Sequence, residues 1–355
     1  MNRNTLNLIV LAAGLACAGA HLSANAAVSA DEAAQLKSTL TPLGAEKAAN
    51  KDGTIPAWDG GLKSASGPKV GDIPVNPFPN EKPLLKIDAK NASQHAAKLS
   101  EGTQALLKKY PDSFRLDVYP THRTAAAPAY VYDNTFKNAT RCKTKDAGLS
   151  VEGCFGGIPF PIPKDGFEAI WNLLMRVEPE ITSFGYKNIV VSSDSARALA
   201  TRNDIWWQHP YYYKDGSVET WSGEYLLQRL LATEPPYKAG ESLVVRDSID
   251  AKNPRNAWQY LVGQRRVRRA PTVGYDTPDF VASGANYFDE VMGFLGHIDR
   301  YQWKLVGKQE MYVPYNNNTL VTAKVDEAFA KNHLNPDKMR WELHRVWVVE
   351  ATLAP

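Results

Sequence analysis

Long hydrophobic runs, catalytic signatures and cysteine are all scarce in this chain of 355 residues. Beyond the N-terminal region no uninterrupted apolar stretch reaches the roughly eighteen residues that a spanning helix needs, so the processed chain is expected to carry no transmembrane segment. There is no Gly-x-Ser-x-Gly elbow, no His-Glu-x-x-His, no phosphate loop and no Gly-x-Gly-x-x-Gly. His95, His122, His209, His297, His333 and His344 lie too far apart to form a local metal motif. His297 and Asp299 could be drawn into a dispersed site with a distant Ser, but nothing in the sequence singles that out. No cofactor, no metal and no enzymatic activity are expected. Charge of one sign is missing too: 41 Lys+Arg face 38 Asp+Glu, a formal net charge of +3, which argues against a nucleic-acid partner. With 22% charged and 10% aromatic residues, the composition is that of a folded protein, not of a disordered one.

The N-terminus has the layout of a secretory signal peptide. Arg3 supplies the positive region, Leu8 to Ala20 is apolar and uncharged, and Ala24-Asn25-Ala26 offers small residues for cleavage before Ala27. The expected location is therefore the periplasm. Cleavage removes Cys17 and leaves Cys142 and Cys154, which in an oxidising compartment are most simply a disulfide.

Residues 27–90 are expected to hold an N-terminal helix and then an extended arm. Its Pro and Gly content (Pro56, Gly60, Gly61, Pro68, Pro74, Pro77, Pro79, Pro83) is incompatible with helix or central strand, and Trp58 and Phe78 favour an arm laid on the domain. Residues 91–355 are expected to form a sheet domain with covering helices. Helical spacing appears over residues 92–110, from Asp165, where Asp165 and Glu168 have capping-box spacing, and from Ser222 to about Thr233. Period-two alternation marks strands at Ala129–Phe136, Lys187–Ser193, Asp204–Tyr213 and Ser242–Ile249. Two hairpins are expected. One turns at Gly263-Gln264 in a two-residue type II′ loop, with Tyr260 opposite Val267 and Trp258 opposite Arg269; the other turns at Gly307-Lys308, with Trp303 opposite Tyr312. A last strand carries Trp341, Leu343, Trp347, Val349 and Ala351 on one face. Together these predict a mainly β, α+β fold: a large curved antiparallel sheet with helices covering one face.

The aromatic load is the feature most in need of a role. Trp206, Trp207, Tyr211 and Tyr213 fall close together, and Trp258, Tyr260, Trp303, Tyr312, Trp341 and Trp347 follow on predicted strands. They either fill a core or line an apolar cavity for a hydrophobic ligand or lipid. If Trp206 and Trp207 share a strand, they must face opposite ways. Arg265, Arg266, Arg268 and Arg269 form the strongest basic cluster, either a solvated hairpin or a contact for an anionic head group or acidic partner.

The run from Leu40-Thr41-Pro42-Leu43-Gly44-Ala45-Glu46 through Asp52-Gly53-Thr54-Ile55-Pro56-Ala57-Trp58-Asp59-Gly60-Gly61 resembles the opening signature of a proteobacterial secreted family, domain of unknown function 1329. Further matches are Ile158–Pro163, Gly263–Pro271, Tyr275-Asp276-Thr277-Pro278-Asp279 and Arg340–Glu350. That family is similar to the LolA/LolB lipoprotein carriers, so the resemblance implies an unclosed β-barrel lidded by helices around a hydrophobic cavity. It implies a periplasmic carrier of lipid, lipoprotein or another hydrophobic compound between the inner and outer membranes, without catalytic residues. It also brings in a second function, an interaction module of an outer-membrane or export complex. Family members typically continue beyond the Val346–Thr352 strand, so the chain is expected to fall short of the family's usual sheet.

Overall fold

A computed structural model describes residues 27–62 and 75–355. The expected signal peptide and Pro68 and Pro74 of the arm lie outside the described residues. Short strands β1 (Leu85–Ile87) and β2 (Leu116–Val118) precede β3 (Lys143–Lys145) and β4 (Ser150–Glu152). The long strands follow: β5 (Ile181–Val191), β6 (Arg197–Gln208), β7 (Glu224–Glu234), β8 (Ser242–Ser248), β9 (Asn256–Leu261) and β10 (Arg266–Arg269). The last two are β11 (Tyr301–Pro314) and β12 (Trp341–Leu353). Helices α1 (Ala30–Ala34), α2 (Glu101–Lys109), α3 (Ala129–Arg141) and α4 (Gly166–Leu174) are short.

The molecule is mostly β. Strands β5 to β10 form a six-stranded antiparallel meander in the order β10-β9-β8-β7-β6-β5, and a second sheet runs β1-β2-β12-β11. Among the described residues neither sheet closes: β5 and β10 are the edges of the first, β1 and β11 of the second. Both sheets pack around one large apolar core that includes Ile170, Trp171 and Leu174 of α4 and Ile205, Trp207, Leu230 and Leu243 of the six-stranded sheet. A smaller core gathers Ile87, Leu116, Met339 and Trp341 on the second sheet.

Several expectations hold in detail. Asp165 caps α4 by accepting from the Glu168 N–H at 2.9 Å, while the Glu168 carboxylate accepts from the Lys164 N–H at 2.6 Å. Strands β9 and β10 pair with Tyr260 opposite Val267 and Trp258 opposite Arg269. Their turn is longer than expected: Val262–Gln264 make a tight helical turn that Arg265 ends in the left-handed region at φ 50°. Cys142 and Cys154 are bonded.

Others are corrected. Ala129–Phe136 is not a strand but the start of α3, because Val131, Thr135, Asn138 and Ala139 make a buried helical stripe. Ser222–Thr233 is mostly strand β7: pairing with β6 and β8 puts Leu226 and Leu230 on the inner face and Leu227 and Leu231 on the outer. Gly307-Lys308 is not a hairpin turn. Gly307, at φ 137°, sits at a bulge inside continuous β11, and Trp303 faces Ala351 while Tyr312 faces Leu343 of β12.

Candidate functional site

Register alone assembles the inner wall of a cavity. Phe184, Ile205, Leu230 and Leu243 stand opposite one another across β5 to β8, and the next inward row is Trp207, Gln228, Val245 and Ala257. Side chains on alternate residues of paired strands point the same way, so these rows face one side of the sheet. The chain from Val273 to Leu295, built of short turns, crosses over them and contributes Val281, Phe288 and Val291. Between wall and cover lies a cavity of about 240 Å³. Phe184 is 39% exposed and Met292 47% exposed, which places its open side at the β5 edge.

Few polar groups face this space. The Trp207 ring N–H donates to Gln228 Oε1 at 3.0 Å. Asn188 donates to Thr201 Oγ1 at 3.1 Å. Burial pushes the Asp279 carboxyl up from its ordinary range, and it pushes the Tyr186 hydroxyl up to about 12. At the inner end Arg255 is held by Asp247 through two bonds, Nε–Oδ1 at 2.5 Å and Nη2–Oδ2 at 2.9 Å. Burial would favour losing the Arg255 proton, but the Asp247 charge more than offsets it. Arg255 also borders a polar cleft of about 130 Å³, where Tyr275 stacks on His297 with ring centroids 4.4 Å apart. Burial lowers the His297 pKa, favouring the neutral ring. Tyr275 donates to Asp299 Oδ2 at 3.2 Å, and among the described residues Ser248 is the one serine or cysteine lining the cleft. Among the described residues no group of His, Cys, Asp and Glu is placed to hold a metal ion.

Of the aromatic residues singled out in the sequence, Trp207 lines the cavity. Trp206 is on the opposite face, with the Arg229 guanidinium 4.9 Å above its ring. Tyr211 is fully buried and donates to the Gly157 carbonyl at 2.6 Å, while Tyr213 donates to Gln208 at 2.9 Å near the surface. Trp258 is 36% exposed on the outer face, in the same pleat direction as half-buried Tyr260. Trp303 packs edge-on against Phe294 of the cover at 4.9 Å. Tyr312 and Trp341 belong to the smaller core, and Trp347 borders a separate groove beside Lys308. Arg265, Arg266, Arg268 and Arg269 are all exposed on the edge hairpin. The sequence reading missed Phe184, Tyr186, Leu230, Leu243 and Val245. The leucine spacing around Leu230 points to a helix where the chain forms β7, and the cover has no periodic pattern to betray it.

Fold and site define a predominantly β protein with a six-stranded antiparallel sheet, a four-stranded mixed sheet and an apolar cavity under a loop cover; no described helix is long and apolar enough to cross a membrane. The chain belongs to the family described as protein of unknown function (DUF1329), which matches residues 86–355. It is 41% identical over 338 residues to the uncharacterized protein PA3922 of Pseudomonas aeruginosa, covering 93% of this chain and 73% of that one. A crystal structure of a DUF1329 family protein from Desulfovibrio piger matches with a TM-score of 0.29 at 15% identity, over 41% of this chain and 57% of that one. The chain thus spans little more than half the length of that solved protein.

Proposed function

We propose that the protein is a periplasmic carrier or binding protein for a lipid, lipoprotein or other hydrophobic compound, acting between the inner and outer membranes. The observation that carries this reading is the cavity of about 240 Å³ walled by Phe184, Trp207, Leu230, Leu243 and Val245 under the cover. An apolar cavity with a few convergent polar groups is the ordinary form of a small-molecule site. An open sheet lidded over such a space is also what the likeness to LolA/LolB carriers implies. In this reading the signal segment directs export, and the ligand enters past Phe184 and Met292.

The test is native mass spectrometry of protein purified from the envelope. The expected result is a co-purifying hydrophobic compound that is lost when Val245→Phe fills the cavity. Protein that emerges without ligand, and takes up no lipid from an envelope extract, would overturn the proposal.

One observation favours docking on an outer-membrane or export complex. Arg266 and Arg268 stand exposed on β10, a free sheet edge, with no carboxylate partner among the described residues. Pull-down from an envelope extract with intact protein and with Arg266→Glu/Arg268→Glu separates the readings: loss of a captured envelope protein with unchanged ligand content supports docking.

A further inference from the structure

A second groove, of about 510 Å³, lies on the other sheet, between the N-terminal segment and the β11–β12 pair. Four sequence segments singled out above meet there: Leu43 and Glu46, Ile55 and Trp58, Pro161 and Pro163, and Arg345 to Trp347. Its floor is apolar, with Leu43, Ile55, Trp58, Pro161, Val346 and Trp347 among the lining residues. A volume of this size is in the range of small-molecule sites.

The charge around this apolar floor is unbalanced. Among the described residues three cations line the groove, Arg123, Lys308 and Arg345, against one carboxylate, Glu46. Glu46 is shared: Oε1 accepts from Lys308 Nζ at 2.8 Å and Oε2 from Arg345 Nη1 at 2.5 Å. Glu310, opposite Arg345 in the β11–β12 ladder, accepts from Asn50 at 3.0 Å and pairs with Lys98 at 3.8 Å. Arg123 has no carboxylate among the described residues. It donates to the backbone carbonyls of Glu46 at 2.6 Å and Lys47 at 3.1 Å, and these dipoles cancel no net charge. Burial first, and repulsion from Arg345 second, push its pKa down, against smaller opposing effects of Tyr315 and Glu46. Lys308 also lies 4.9 Å above the Trp347 ring, which is 39% exposed, so the cationic rim and the apolar floor are in contact.

We infer that this groove binds a single-tailed anionic amphiphile, with its tail on the Trp58–Trp347 floor and its carboxylate or phosphate head against Lys308, Arg345 and Arg123. A hydrophobic tail without charge would leave the cations uncompensated, and a cationic head would be repelled. The site is independent of the cavity in the six-stranded sheet.

The experiment is calorimetric titration of the intact protein with dodecanoate, dodecyl phosphate, dodecanol and dodecyltrimethylammonium below their micelle-forming concentrations. Both anions are expected to bind at least about tenfold more tightly than the alcohol, and the cation not at all. The preference for anions should shrink as salt is raised. Lys308→Glu should weaken dodecanoate roughly tenfold and leave dodecanol unchanged, whereas Val245→Phe, in the other cavity, should leave dodecanoate affinity unchanged. Equal affinity for alcohol and carboxylate would overturn the inference, as would binding lost in Val245→Phe but kept in Lys308→Glu; the latter result would leave the carrier reading standing. Binding to phosphatidylglycerol vesicles with none to free dodecanoate would also overturn it. Should Lys308→Glu fail to fold, the head-group series on the unaltered protein decides alone.

Discussion

Trp206 and Trp207 are neighbours in β6 and face opposite sides of the six-stranded sheet. Trp207 is 6% exposed, packs edge-on against Phe184 at 5.2 Å and bonds Gln228. Trp206 lies outside, beneath Arg229. Identical residues one position apart therefore carry different loads. Trp207→Ala should cost about 3–5 kcal/mol and abolish retention of a hydrophobic ligand, because it empties the wall of the cavity. Trp206→Ala should cost no more than about 1 kcal/mol, the scale of an exposed cation–π contact, and leave ligand binding intact. Urea unfolding of both variants, with ligand content measured on each, checks the contrast.

The Cys142–Cys154 bond closes a loop of sequence separation 12 between the end of α3 and β4, and each cysteine is 1% exposed. A bridge over so short a loop contributes about 2–3 kcal/mol, chiefly by restricting the unfolded chain. The Cys142→Ser/Cys154→Ser protein should lose that much in urea unfolding. Intact protein should resist dithiothreitol in the folded state and yield to it once urea exposes the bond.

What could be read from the sequence was what is local. The β9–β10 register, the alternation of β12, the Asp165 cap and the cysteine pair all depend on residues a few positions apart. What was misread depended on distant partners. Leu226, Leu227, Leu230 and Leu231 have helical spacing, and only pairing with β6 and β8 makes them a strand with one leucine of each pair on either face. Gly307 resembles a turn until β12 is present to continue the ladder across it. The candidate cavity suffered most, since half its wall is β7 and β8 and its cover, Val273 to Leu295, is a series of turns fixed by tertiary contacts alone. Aromatic content drew attention to Trp207, which lines the cavity. It could not separate that residue from Tyr211 or Trp341, whose rings fill cores.

Glu342 is fully buried on β12 and makes an acid-sensitive link. Burial alone would raise its pKa. Outweighing that, His344 Nε2 lies 3.0 Å away, Asn316 donates at 2.9 Å, the His122 N–H at 2.8 Å and Arg340 Nε at 2.6 Å, and the net shift is downward. A carboxyl with a lower pKa folded than unfolded adds stability above its unfolded value, and that stability is lost as pH falls through the folded value. Urea midpoints should therefore drop on acidification below the ordinary glutamate range. Glu342→Gln should be destabilised by about 1–3 kcal/mol at neutral pH, because Arg340 loses one of its two carboxylate partners and keeps Glu81 at 2.8 Å, and should show a shallower acid limb.

Two glycines at the starts of helices should respond oppositely to alanine. Intrinsic propensity favours alanine over glycine within a helix by up to about 1 kcal/mol. Gly102 in α2 has nothing within 4 Å of where a Cβ would stand, so Gly102→Ala should gain a few tenths to about 1 kcal/mol. Gly166 opens α4 directly against β11, where a Cβ would come within 2.4 Å of the Trp303 carbonyl carbon and oxygen. Backbone cannot move aside as a side chain can, so α4 would have to lift from the sheet, taking Trp171 and Leu174 out of register with the core. A cost of about 1–3 kcal/mol is expected to exceed the propensity gain. Thermal unfolding of the two variants in parallel reads the sign directly: Gly102→Ala should melt above the unaltered protein and Gly166→Ala below it, and a stabilised Gly166→Ala would show that α4 does not seat on β11 at this distance.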